Sequence, residues 1–233
     1  MIRQTPGKIF LAEQRGLLET SQFRRYSTFS FGPYAHEHKG PFGRLHALNE
    51  EMLAGGSHLK ITAEQDAQVL ILPITGTVSA GVGRRQTQVQ VEEIQLLRVA
   101  AGSTICFTNP YSEEQITFLH IWLNGDSAAP EAAQTFAFSL PELENQLATV
   151  IPATDTRLFS LSLGRFAGRH EADYQLDAKA QLFTFVIAGA FEVEGRLLHE
   201  KDGLALWHTE EVELEALSNN ALVLLLELKN NTQ

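Results

Sequence analysis

Short apolar runs that end in glycine organise this chain, with little sign of helical periodicity. Residues 69–74 form such a run, which closes at Thr75-Gly76 and restarts at Val78. Residues 182–188 repeat the shape, closing at Gly189 and restarting at Phe191. Each pattern continues through a polar turn, a further strand and an acidic turn: Glu92-Glu93 before residues 94–97, and Lys201-Asp202-Gly203 before residues 204–207. Gly76 and Gly189 lie about 110 residues apart, so the chain contains an internal repeat of one small β-domain. Strands this short, separated by glycine turns, predict an all-β architecture of barrels or sandwiches. Residues 117–123 read as the closing strand of the first copy, and residues 212–217 and 221–228 as those of the second.

The stretch between the copies is rich in Ala, Pro and Gln. Within it, Pro141-Glu-Leu-Glu-Asn-Gln-Leu147 predicts a short helix, because Pro suits a first turn and carboxylates favour a helix N-terminus. The expected division is a first barrel over 1–125, a linker over 126–150 and a second barrel over 151–233.

Composition narrows the function. The formal net charge of -10 opposes phosphate backbones, so direct nucleic-acid binding is not expected. Arg3, Lys8, Arg15, Arg24 and Arg25 make the N-terminus locally basic, and they read as solvated surface. The single cysteine, Cys106, allows no intrachain disulfide. No stretch has the length of a membrane-spanning helix, and the first ten residues lack a leader's apolar core, so the expected location is cytoplasmic. No Ser-His-Asp order, phosphate loop, HExxH or CxxC pair is visible.

Three ordered segments carry a family resemblance. Tyr26-Ser-Thr-Phe-Ser-Phe-Gly-Pro-Tyr34, followed by Gly43-Arg-Leu-His-Ala-Leu-Asn-Glu50, is similar to the TFSF signature and LRVIND stretch of the pirin family. Phe118-Leu-His-Ile-Trp-Leu123 is similar to its LxQIWI strand. Asp202-Gly-Leu-Ala-Leu-Trp207 resembles the end of the bacterial branch. The resemblance implies two tandem cupin barrels, or bicupin. It implies an iron-type site in the first barrel, built from an HPHR and an HSE stretch, and in some bacterial members a quercetin 2,3-dioxygenase activity.

Alignment on Gly76 places Thr62 and Glu64 at the positions of the two HPHR histidines, with Gln68 where cupins often carry Glu. Alignment of Val99-Ala-Ala-Gly-Ser-Thr-Ile105 places Ile105 and Phe107 at the HSE histidine and glutamate. Ile and Phe offer no lone pair, and one carboxylate with one hydroxyl does not make a tight chelate. The second barrel offers Gln175, Asp177 and Gln181. No metal and no other cofactor is therefore expected. The expectation is a non-catalytic small-ligand-binding or regulatory protein. Its first barrel would hold a small organic ligand between Thr62, Glu64 and Gln68 on one wall and Ile105 and Phe107 on the other, or its surface would meet a protein partner. The alternative is a dioxygenase of the quercetinase type whose metal is held by Glu64 with His58 or His120. His36 and His38 share a strand face if extended, but read as loop residues. Cys106 should face away from the cavity, into packing, and Trp122 and Trp207 should be core.

Overall fold

In the computed structural model, which describes residues 5–83, 85–125, 132–177 and 179–229, nearly all regular structure is antiparallel sheet. The strands are β1 Gly7–Phe10, β2 Gly16–Glu19, β3 Phe23–Ser27, β4 Leu45–Leu53, β5 His58–Thr62 and β6 Ala67–Thr75. They continue as β7 Val78–Val82, β8 Arg85–Val89, β9 Glu93–Val99, β10 Thr104–Thr108, β11 Ile116–Asn124 and β12 Gln134–Ala137. The second half holds β13 Gln146–Ile151, β14 Phe159–Phe166, β15 Glu171–Gln175, β16 Gln181–Ala188 and β17 Phe191–Val193. It closes with β18 Arg196–Leu198, β19 Gly203–Leu206, β20 Glu211–Ala216 and β21 Ala221–Leu228. Among the described residues no helix is long and apolar enough to cross a membrane.

Each unit stacks a large sheet on a four-stranded one. In the N-terminal unit the orders are β12-β9-β6-β11-β4-β3-β2 and β5-β10-β7-β8. In the C-terminal unit they are β1-β19-β16-β21-β14-β13 and β15-β20-β17-β18. The two orders correspond strand for strand except for β2, which extends the first large sheet by one; this is the pair of small β-domains expected from the repeat and the double cupin that the resemblance implies. The repeated glycines have a physical reason. Gly76 (φ 72°) and Gly189 (φ 79°) both adopt the left-handed conformation that L side chains avoid.

The unit boundaries differ from the expected ones. The units are Arg15–Ala137 and, together, Met1–Gln14 with Phe138–Gln233. The N-terminal strand β1 therefore belongs to the C-terminal unit, where it pairs with β19. Residues 126–150 are no passive linker. Its first part, 126–131, lies outside the described residues, but β12 pairs with β9 and β13 pairs with β14. The predicted helix is a single 3-10 turn, Pro141–Leu143, because the chain returns to extended backbone at Glu144. In both units a segment from elsewhere in the chain covers a sheet edge that would otherwise present unpaired N–H and C=O groups.

The attachment of β1 is specific. Phe10 is buried and meets the edge of Phe183 with ring centroids 5.8 Å apart. Asp202, in the Asp202-Gly203 turn, accepts from the Ala12 N–H at 2.7 Å and from the His199 N–H at 2.8 Å. The two tryptophans fall one in each unit, Trp122 in the first and Trp207 in the second. Phe10→Ala should therefore destabilise the C-terminal unit by about 3 kcal/mol, the usual cost of emptying a buried aromatic site. Denaturant unfolding of Trp122→Phe and Trp207→Phe backgrounds separates the units. The Trp207 transition should move to lower denaturant. A shift confined to Trp122 would contradict the assignment.

Candidate functional site: a buried charge chain beneath the mouth of the N-terminal barrel

The N-terminal sandwich is packed mainly with apolar side chains. Leu59, Ile61 and Ala63 from the β5 segment meet Ile105 and Phe107 of β10, with Phe118 and Trp122 of β11 on the facing sheet. Inward parity on β4 runs through Ala47 and Leu53, and the same parity carries Asn49 and Glu51 into the interior. On β3 the residue that follows this rule is Arg25, and on β11 it is His120.

These groups form a chain. The Arg25 Nε–H donates to Glu51 Oε1. His120 Nε2 lies 2.9 Å from the same oxygen, and the Trp122 indole N–H donates to His120 Nδ1 at 2.6 Å. An indole nitrogen can only donate, so Nδ1 is bare and the His120 proton sits on Nε2, pointing at Glu51. Burial is the main cause holding the His120 pKa below its ordinary value of 6.5; the neighbouring Arg25 charge acts the same way and Glu51 opposes it. His46 is also held below 6.5, again first by burial, against a hydrogen bond to Asn124 and the charge of Glu64.

Above this chain a cleft of about 440 Å³ opens at the barrel mouth. Its walls include Arg25, Phe31, His46, Thr62, Glu64 and Trp122. Phe31 comes from the segment between β3 and β4. Its ring centroid lies 5.9 Å from that of Trp122 and 5.1 Å from the Arg25 guanidinium carbon. Several polar atoms around the chain have no protein partner: Arg25 Nη2, Glu51 Oε2, both amide atoms of Asn49, Thr28 Oγ1 and His46 Nδ1.

The structure divides the residues singled out from sequence. Thr62 and Glu64 line the cleft. Ile105 and Phe107 are fully buried, and Phe107 stacks on Phe118 at 5.2 Å and faces His120 at 5.3 Å. The two pairs were expected to form facing walls of one cavity, and they do not. Ile105 registers with Ile61 and Phe107 with Leu59, whereas Thr62 registers with Thr104 on the opposite face, their hydroxyls 3.0 Å apart. A one-residue offset reverses the face, and this is such an offset. His58 is exposed at the start of β5, opposite Thr108. Gln68 is buried but lies on the face of β6 opposite the core residues Ala67 and Val69, so it is not a cleft wall. In the second copy, Gln175 and Asp177 are exposed and Gln181 is half-buried.

Other expectations are corrected as well. Arg15 and Arg25 are buried ion-pair partners of Glu50 and Glu51, not solvated surface, whereas Arg24 is exposed; Arg3 lies outside the described residues. Cys106 faces away from the core, opposite Lys60, but is half-buried rather than packed. His36 and His38 are exposed and lie outside any strand, as the loop reading held. Trp122 is core and Trp207 is half-buried. The residues missed were Arg25, Asn49 and Glu51. On β4, Asn49 and Glu51 share the inward parity of Ala47 and Leu53, but nothing local in the sequence joins them to Arg25 or His120.

The donor set does not fit the family's metal. Positions 105 and 107 carry no lone pair, and both His120 nitrogens are engaged. Among the described residues no group of three or more His, Cys, Asp and Glu side chains is placed to hold an ion.

Comparison with known proteins agrees with this fold. Residues 155–228 match the family model of the quercetinase C-terminal cupin domain. A quercetin 2,3-dioxygenase of Escherichia coli K12 is 24% identical over 224 residues, covering 91% of this chain and 95% of that relative. The crystal structure of YhhW from Escherichia coli superposes with a TM-score of 0.84 at 20% identity, covering 98% of this chain and 100% of that one. YhaK from Escherichia coli gives 0.73 at 20% identity over 88% and 94%.

Two outcomes follow from the charge chain. Glu51→Gln leaves Arg25 buried without a counter-charge and should cost the N-terminal unit about 3–5 kcal/mol. The pH dependence has a fixed sign. His46 and His120 bind a proton less readily folded than unfolded, so stability is full above pH 6.5 and declines as pH falls below it. Each site contributes up to about 1.4 kcal/mol per pH unit. Denaturant melts followed at Trp122 between about pH 7.5 and 5.5 should show this slope, and His120→Gln should flatten it. An unchanged slope would place the proton uptake elsewhere.

Proposed function

We propose that this chain is a pirin-like bicupin whose N-terminal barrel binds a small organic ligand without metal chemistry, in a regulatory rather than catalytic role. One observation carries the reading. The β10 positions that the family resemblance assigns to a His and a Glu are Ile105 and Phe107, both fully buried in apolar packing. A cleft with aromatic walls and a few convergent polar groups is the usual form of a small-ligand site, and this one lies beside the packed interior. The net charge of -10 and the free thiol of Cys106 suit a cytoplasmic protein that does not bind nucleic acid.

A second reading, metal-dependent oxidation of a flavonol, is favoured by the name of the Escherichia coli relative. Against it stand the exposure of His58 and the engagement of both His120 nitrogens.

Elemental analysis of untagged protein, with a quercetin assay in the presence and absence of chelator, separates the two. We expect metal far below one equivalent and no chelator-sensitive loss of quercetin. Near-stoichiometric iron, nickel or manganese, with turnover that a chelator abolishes and metal restores, would replace the first reading with the second.

A further inference from the structure

The mouth of the N-terminal barrel keeps more hydrogen-bonding capacity than its own fold uses. Arg25 is 5% exposed, yet it lines the cleft and leaves Nη2 without a partner. A buried guanidinium N–H left without an acceptor is costly, more so in a low dielectric. Glu51 takes the Nε–H, and the guanidinium keeps further N–H donors of the kind that a ligand oxygen satisfies. Lys60 stands on the same cleft as a second cation. The one cleft carboxylate, Glu64, acts on His46. The aromatic wall is Phe31, with Tyr34 on the same cleft; Trp122 lies buried beneath, its ring tilted against Phe31 with centroids 5.9 Å apart and edge-on to His46 at 6.0 Å.

We propose that this cleft is a site for a small planar aromatic carboxylate, its ring set against Phe31 and its carboxylate accepting from the Arg25 guanidinium. This rests on the reading of the barrel as a binding module and names the ligand class. The chemistry follows from the groups present. A guanidinium makes stronger, charge-assisted bonds to a carboxylate than to a neutral oxygen. An aromatic wall that already stacks on Arg25 accepts a ring at little conformational cost. A volume of about 440 Å³ suits a one- or two-ring ligand.

The test compares benzoate with its neutral isostere benzamide on the full chain. Binding is followed at the indole N–H resonance of Trp122, assigned with Trp122→Phe. Benzoate should shift that resonance saturably, and benzamide should bind at least about tenfold more weakly, as the loss of one charge-assisted contact implies. Arg25→Gln alone strands Glu51 and risks the fold, so it is paired with Glu51→Gln, which removes both charges together. The double variant should lose the preference for benzoate, and Phe31→Ala should weaken both probes. Equal affinity for benzamide, or a folded double variant that still prefers benzoate, overturns the ligand class while leaving the barrel as a binding module. No saturable shift with either probe also overturns the ligand class, while the elemental and quercetin assays decide the metal question separately.

Discussion

An arginine and a glutamate inside an apolar sandwich must be held from more than one side, because desolvating two charges costs more than a loosely set ion pair returns. Arg25 and Glu51 are held in that way. The carboxylate oxygen that meets Arg25 also meets the N–H of His120, and the other His120 nitrogen is fixed by the indole of Trp122. The links come from three adjacent strands, β3, β4 and β11, so the chain also ties the large sheet together across its inner face. Phe31, on the segment that crosses the barrel mouth, packs against three of its members: Arg25, His120 and Trp122. The position of that segment, and with it the shape of the cleft, depends on the charge chain beneath it.

The same constraint explains what fills the other side of the interior. A barrel of this size either keeps an open polar cavity or closes it with side chains. Here Phe107 stacks on Phe118 and lies against His120, while Ile105 sits opposite Ile61. Apolar bulk thus occupies the positions assigned to ligands on β10, and polarity is confined to the β3–β4–β11 side. An imidazole at 105 or a carboxylate at 107 would displace this packing and bring a further polar group against a hydrogen-bonded histidine with no lone pair to offer. The interior around Arg25 and Glu51 is filled by this packing, with Ile105 and Phe107 buried in it.

The fold was legible because its signals are local and occur twice. The glycine that ends β6 and the one that ends β16 both need a left-handed backbone, and each follows an apolar run of strand length. The edge strands were not legible. β12 and β1 are four residues long, with weak alternation, and their partners β9 and β19 are distant in sequence. Only tertiary pairing makes them strands, so a division by sequence position put residues 1–14 with the wrong unit.

The site was legible on one strand and not on its neighbour. Ile105 and Phe107 take the inward parity of β10, where alternation along the strand fixes the face, but they lie in apolar packing and not on a cavity wall. The β5 segment failed because its parity was taken from a distant glycine, across the whole of β6, and a single residue of slip exchanges the two faces. The exposed-buried alternation of His58-Leu-Lys-Ile-Thr62 was already in the sequence and pointed to Leu59 and Ile61 as the inner pair. Arg25 and Glu51 were hidden for a different reason. A charged residue on a strand is ordinarily solvent-facing, and its burial becomes visible only when the partner is known. Arg25 lies 26 residues from Glu51, and Glu51 lies 69 from His120. No local pattern joins them. What joins them is the order of the sheet, in which β4 lies between β3 and β11 and brings three inward polar positions to one place.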